Sequence, residues 1–475
     1  MIIWIVNFLF INDNLTIINL RLVLKMETII KDNKRVFFKG EIPEKYFTST
    51  YMEVNKEIKA VFLPINKEEV SEIVKYCYEN DVVFLVRGAG TGAVGGQNTI
   101  LNDEVVIDLS LMNKMISFDN KSLTLTVEPG VTLGEVRDFA ASKGYFYPPD
   151  PGAKNSTIGG NVSTNAGGMR AVKYGTTRDY VKEIEVVLPT GEVTSFGSLN
   201  IKDVSGYNLK DLFIGSEGTL GIITKIKLKL IKKSEYQKSL ILVFDNILEA
   251  SKTVLNILNN GLKPTAIELF DNETIEYSER FLKEKFPSSK GSAYILTTFD
   301  SHDKEMVDKV TNVIKNNYKE GTKEIKILNE KEEKTAWLLR DNILYALMQF
   351  TQYEMLDEVV PLEEFATMIA YTRKLAIKYN LTILNFGHAG DGNIHTLLLK
   401  EGMSDKEWEI KKTSVLDEIY QEVYQLKGLI SAEHGVGYTK RAYFLKHTDP
   451  TKITVMRKIK KALDPKNLLN PNKVI

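Results

Sequence analysis

Five glycines fall in the nine residues from Gly88 to Gly96, directly after the apolar run Val82-Val83-Phe84-Leu85-Val86. A buried strand that empties into such a loop restricts the fold more than any other feature of the chain, because glycines at this density let backbone come very close to a neighbour. Gly90-Thr91-Gly92-Ala93-Val94-Gly95 matches G-x-G-x-x-G, the phosphate loop of doubly wound sheets, in which a helix follows at once. Here Gln97-Asn98-Thr99-Ile100-Leu101-Asn102-Asp103 follows. That is a poor helix start and argues against such a sheet. Two readings remain, a nest of backbone amides around phosphate or a plain tight turn. A second cluster, Gly159 to Gly168, holds four glycines together with Asn161 and Asn165. Its amide and hydroxyl side chains offer donors and acceptors to phosphates and a ring system. Two such clusters close in sequence point to one large cofactor spread over both.

At 475 residues the chain is too long for one ordinary core, so two or three domains are expected. Lys+Arg and Asp+Glu both total 62, and no basic stripe stands out, which argues against a nucleic-acid partner. The single cysteine, Cys77, excludes an internal disulfide and a cysteine-based metal or iron–sulfur site. It fits a reducing, cytoplasmic setting. Residues 2–11 are apolar apart from one asparagine, residues 12–14 are polar, and 15–24 are again mainly apolar. With a polar middle and no basic lead, residues 1–25 are expected to be upstream sequence before a natural start at Met26. The rival reading is a peripheral or spanning anchor that would make the protein membrane-associated.

Apolar periodicity predicts helices over 66–80, 132–143, 247–259, 303–317, 363–379 and 405–426. It predicts strands over 82–86, 104–109, 122–128, 183–188, 192–196, 222–230, 240–244, 293–299, 381–386 and 394–398. The class is therefore α+β. Composition turns charged at Lys232–Lys238, so the expected division is 26–235, 236–430 and a C-terminal segment 431–475, whose turn-rich end docks back on the first domain.

Three of the five histidines sit in two glycine-rich turns, Gly387-His388-Ala389-Gly390-Asp391-Gly392-Asn393-Ile394-His395 and Ser431-Ala432-Glu433-His434-Gly435-Val436-Gly437. A tight turn between strands 381–386 and 394–398 brings His388 and His395 together, with Asp391 or Asn393 as their support. Two imidazoles and a carboxylate, His388, His395 and Glu433, form a common ligand set for a catalytic divalent cation with an open position. His434 is then left as a general base. The competing reading is hairpin histidines that cap backbone groups beside a solvated glutamate, and spacing alone leaves both open.

Taken together, Arg87–Gly96, Pro151–Asn161, Thr164–Arg170, Lys173–Gly175, Lys202–Tyr207, Gly215–Ile223, Gly387–His395, Ser431–Gly437 and Asp464–Pro471 carry a resemblance. From about residue 40 to its end the chain resembles the FAD-binding family of vanillyl-alcohol oxidase and p-cresol methylhydroxylase, in its glycolate oxidase large-subunit and D-lactate dehydrogenase branch. The resemblance implies a two-subdomain FAD-binding domain of the p-cresol methylhydroxylase type, an α+β substrate (cap) domain, and a C-terminal segment returning to the FAD domain. It implies that Arg87, Gly88, Ala89, Gly90, Thr91 and Gly92 cradle the pyrophosphate. Gly159, Gly160, Asn161 and Thr164 would line pyrophosphate and isoalloxazine, Glu217, Gly221 and Ile222 would approach ribose and adenine, and Asn470 would sit near the flavin. Some relatives attach the flavin through a histidine. None precedes His302 here, so FAD is expected to be non-covalent.

By the same resemblance His388, His395 and Glu433 bind a divalent metal (zinc, manganese or iron), and the reaction is oxidation of a 2-hydroxy acid. The metal would polarise the hydroxyl, His434 would take its proton, and hydride would pass to the flavin. Arg340, in Trp337-Leu338-Leu339-Arg340-Asp341, resembles the family's carboxylate-binding arginine; the alternative is a helix-surface arginine. Relatives acting on the dicarboxylate 2-hydroxyglutarate carry a lysine shortly before Asp-x-x-x-Pro. Here Glu354-Met355-Leu356 precedes Asp357–Pro361, which favours D-lactate or glycolate. Without an iron–sulfur relay, electrons would leave to a partner protein (an iron–sulfur protein or electron-transfer flavoprotein), a quinone, a cytochrome or oxygen. A flavin subunit of a larger complex, a homodimer and a non-catalytic flavin scaffold are the other readings.

Overall fold

Strand Glu104–Asp108 is buried at all five positions, as expected for the middle of a parallel sheet covered on both faces. The computed structural model describes residues 28–48 and 56–475, so the expectations for residues 1–25 and for a start at Met26 lie outside the described residues. Glu104–Asp108 pairs in parallel with Ile58–Phe62 on one side and Phe84–Arg87 on the other, and Val36–Phe38 adds antiparallel to Ile58–Phe62. Val105 and Ile107 face helix Lys67–Glu79, which buries Val70, Ile73, Val74 and Cys77, while Val106 packs on the other face with Tyr46, Val61 and Leu85. Asn66 caps that helix by accepting from the Glu69 N–H.

A second sheet is wholly antiparallel, in the order Met115–Asp119, Thr124–Val127, Ile222–Lys229, Val181–Val187, Val193–Gly197. Gly191, at φ +94°, closes the hairpin between its last two strands, where Pro189-Thr190-Gly191 predicts a turn. Helix Leu133–Ser142 packs beneath, started by a capping box between Thr132 and Glu135. The second glycine cluster, which periodicity assigns to no element, begins in a helix. Ile158–Thr164 is a short helix capped by Thr157, and Ile158 and Val162 are buried in the core of this sheet.

Residues 236–399 build an eight-stranded antiparallel sheet in which Ala266–Asp271 sits between Ala293–Ser301 and Ile383–His388, with Asn393–Leu399 next. Alternate residues divide between its faces. Leu240, Leu242 and Phe244 pack with helices Ile247–Asn259, Phe365–Tyr379 and Asp405–Gln425, while Ile241 and Val243 pack with helices Asn272–Leu282, Glu330–Asp341 and Ile343–Phe350. Periodicity misses strand Ala266–Asp271 because two acids, Glu268 and Asp271, interrupt its apolar run and are themselves buried. The tail returns to the first sheet. Phe84 N–H donates to Leu468 O at 2.9 Å, and Asn470 N–H to Phe84 O at 2.8 Å. Among the described residues no helix is long and apolar enough to cross a membrane.

Candidate active site

A cavity of about 940 Å³ lies where the glycine loop, helix Ile158–Thr164 and the eight-stranded sheet meet. It stands at the upper end of ligand-site volumes, which run to roughly 1,000 Å³. Gly88, Ala89, Gly90, Thr91, Gly92, Gly159, Gly160, Asn161, Thr164, Glu217, Gly221 and Ile222 all line it. Ser156 Oγ and Asn161 Nδ2, on its wall, are buried with no protein partner, so a bound polar group is needed to satisfy them. The glycines are explained partly by protein packing. A Cβ on Gly88 would lie 2.3 Å from Thr157 Oγ1, and one on Gly159 would lie 2.6 Å from Pro129 Cβ.

Two expected cofactor contacts, Arg87 and Asn470, stand outside the lining, and a third, Glu217, is engaged by backbone. Arg87 turns beneath its loop, where its guanidinium donates to Lys45 O at 3.1 Å and lies over the Tyr46 ring; it braces the loop and is absent from the lining. Asn470 Nδ2 donates to Gly218 O at 3.0 Å, supporting the loop from behind. Glu217 reaches the cavity wall, but its carboxylate accepts the N–H groups of Val436 and Gly437 at 2.7 and 2.8 Å.

At the other end of the cavity three imidazoles converge. The hairpin register pairs Phe386 with His395, and the neighbouring strand pairs Glu268 with His388. His388 Nε2 and His395 Nε2 each lie 3.7 Å from Glu433 Oε1, and His434 Nε2 lies 3.5 Å from the same atom. These separations exceed a hydrogen bond; they suit donors arranged around one cation. Glu433 Oε2 is buried without a partner. Asp357, His395, Glu433 and His434 also bring one donor atom each within 4.8 Å of one another. Asp357 is the weaker ligand, because its oxygens are already engaged. Oδ2 accepts from Ser431 Oγ and from the N–H groups of Ala432, Glu433 and His434, and Oδ1 accepts from Asn393 Nδ2. His388, His395 and Glu433, with His434 beside them, are the side chains that could hold a divalent cation here.

Their supports differ from expectation. Neither Asp391 nor Asn393 has a side-chain hydrogen bond to an imidazole among the described residues; Asn393 instead donates to Asp357 and to Glu358 O. His388 Nδ1 meets Glu268 Oε1 at 2.7 Å, and Arg340 donates through Nε to Glu268 Oε2 at 2.8 Å. Arg340 is therefore no surface residue. It is buried, lines the cavity and is anchored on one edge by Glu268. Burial opposes charge at every one of these groups, yet Glu268 carries His388 well above the ordinary histidine range, and His388 and His434 hold Glu433 well below the carboxylate range. His395, buried and beside a charged His388, is pushed down to about 3. His434, raised by Asp357 and Glu433, is the most accessible of the three at 20% side-chain exposure, against 7% and 5% for His388 and His395. The sequence offered one overlooked signal for these partners, a single acid inside an apolar run, Glu268 in Ala266–Phe270; Asp357, beside Glu358, carries no such mark.

Residues 58–197 match the FAD binding domain family and residues 233–474 the FAD linked oxidases, C-terminal domain. The chain belongs to the FAD-linked oxidases. This FAD-linked oxidase is 37% identical over 453 residues to a D-lactate dehydrogenase of Anaerostipes hadrus, covering 93% of this chain and 94% of that protein. It is 36% identical over 423 residues to glycolate oxidase subunit GlcD of Bacillus subtilis, covering 87% and 88%. A solved p-cresol methylhydroxylase with substrate bound superposes with a TM-score of 0.75 at 17% identity, covering 96% of both chains. The fold is accordingly of the p-cresol methylhydroxylase type, and FAD is the cofactor.

Proposed function

We propose that this FAD-linked oxidase oxidises a small D-2-hydroxy acid, D-lactate or glycolate, to the 2-oxo acid at a divalent-metal centre. The observation that carries this reading is the convergence of three imidazoles on Glu433 at 3.5–3.7 Å, on the wall of the cofactor cavity. The names of the two relatives supply the substrate class. FAD, when bound, supplies the two-electron acceptor, and a cation held by His388, His395 and Glu433 supplies a Lewis acid that lowers the hydroxyl's pKa.

The protein's own groups do the rest. His434 accepts the hydroxyl proton, and Asp357, 3.6 Å from its Nδ1, stabilises the imidazolium. The C2 hydrogen leaves with its electron pair, so alcohol becomes carbonyl and one proton stays on His434. Arg340 offers Nη1, which has Asp341 at 3.9 Å, to the substrate carboxylate, while Glu268 fixes the guanidinium plane. Phe386 and Met355 line the cavity beside these groups. Of the other cations on the cavity wall, Arg137 and Arg170 are paired with Asp150, and Lys154 stands as the one candidate for a second carboxylate, which bleaching by D-2-hydroxyglutarate tests. The flavin is held non-covalently. Electrons pass on to a protein, quinone or cytochrome, since a single cysteine, Cys77, cannot hold an iron–sulfur relay.

Anaerobic mixing of the yellow holoenzyme with D-lactate, L-lactate, glycolate and D-2-hydroxyglutarate tests the proposal. Bleaching of the visible flavin band by D-lactate or glycolate, abolished by a chelator and restored by zinc, manganese or iron, is the expected outcome. Faster bleaching by D-2-hydroxyglutarate would overturn the substrate assignment, and chelator-insensitive bleaching would overturn the metal.

A further inference from the structure

The turn that carries Glu433 and His434 is held by two carboxylates from different parts of the fold. Asp357, beyond the eight-stranded sheet's strand Tyr353–Met355, accepts the N–H groups of Ala432, Glu433 and His434 at 3.1, 3.0 and 2.8 Å. Glu217, from the cofactor-binding half, accepts those of Val436 at 2.7 Å and Gly437 at 2.8 Å, one on each oxygen.

Glu217 is rigidly placed for this. Its φ of +52° is a left-handed conformation, which a non-glycine residue adopts only when its surroundings enforce it. Its own N–H donates to Ser163 O at 2.7 Å, and Asn470 Nδ2 holds Glu217 O and Gly218 O. On the turn's side, Gly435 has φ +86°, and a Cβ there would fall 2.8–2.9 Å from the Glu217 carboxylate. The two chains fit because residue 435 has no side chain.

We propose that Glu217 is a positioning residue that sets the metal-ligand turn from the cofactor domain, rather than a contact of the ribose or adenine. Glu433 and His434 then reach their places only when the cofactor half and the substrate half are docked together. The inference rests on the reading of Glu433 as a metal ligand and His434 as base.

The test uses holoenzyme carrying Glu217→Gln, whose amide nitrogen cannot accept from a backbone N–H. The expected result is an unchanged ratio of FAD to protein, faster hydrogen exchange at the Val436 and Gly437 amides, and cation affinity about ten- to a hundred-fold weaker, the usual effect of losing a ligand's support. Loss of FAD, or cation affinity equal to wild type, would overturn the proposal. Should that protein not fold, Gly435→Ala displaces the turn from the same carboxylate and is read by the same measurements. A wild-type protein that binds no divalent cation would sink the metal reading separately. The exchange rates and the FAD ratio would then decide the role of Glu217.

Discussion

One carboxylate, Glu268, serves both Arg340 and His388, and it does so at full burial. A buried charge cluster of this kind adds little net stability over an apolar one, but removing one member leaves the others stranded, at a cost of about 3–5 kcal/mol. Glu268→Ala should therefore lower the unfolding free energy by about that much, read by denaturant titration. It should also weaken cation binding roughly ten- to a hundred-fold by freeing the His388 ring, read by metal titration. Wild-type stability in that variant would refute the ion-pair account. Arg340→Lys tests the other end of the chain of contacts. A lysine keeps the charge but loses the planar fork, so the concentration of hydroxy acid needed for half-maximal bleaching should rise about ten-fold or more, with FAD content unchanged.

Helix Ile158–Thr164 shows what an element can do against its own propensities. Gly159 and Gly160 each disfavour helix by roughly 1 kcal/mol, yet Thr157 caps the first turn and Ile158 and Val162 bury fully. Gly159 is required because the helix start presses on Pro129, 2.6 Å from where a Cβ would stand. Gly159→Ala should raise intrinsic helicity but push the element off its neighbour. The prediction is a lower melting temperature together with reduced FAD per protein, and a rise in both would contradict it. Thr132, in the capping box of helix Leu133–Ser142, is a simpler case. Thr132→Ala should cost about 1 kcal/mol of stability with flavin content intact.

Across the whole molecule, the chain end fastens the cofactor loop to the active-site turn. Lys473, 1% exposed, donates to Gly96 O at 2.8 Å, and Val474 N–H donates to Gly437 O at 2.9 Å. Burial lowers the Lys473 pKa from 10.5 to about 8, against the pull of Glu104 and Glu217. The unfolded chain therefore binds more protons here between pH 8 and 10.5. The lysine's contribution to stability rises with pH across that window, by up to about 1.4 kcal/mol per unit. Lys473→Met should flatten the dependence of unfolding free energy on pH between those values, and an unchanged slope would show the ammonium to be solvated.

Local chemistry was enough to read the chain's class and much of its site. The 3.6- and 2-residue periods mark helix Lys67–Glu79, helix Ile247–Asn259 and the hairpin that pairs Phe386 with His395, because those elements bury continuous apolar faces. The glycine clusters and the two histidine turns mark the groups that line one cavity. Where burial is polar, sequence alone misleads. Strand Ala266–Asp271 carries Glu268 and Asp271 inward, where partners 72 to 120 residues distant, Arg340, Arg373 and His388, offset the cost of burying their charge. The same holds for Glu217 and Asp357, whose oxygens are claimed by the backbone of one distant turn. The sequence by itself determined which residues have the chemistry; the tertiary structure alone decided which carboxylates face the reaction and which hold the backbone, since that depends on donors brought together from remote parts of the chain.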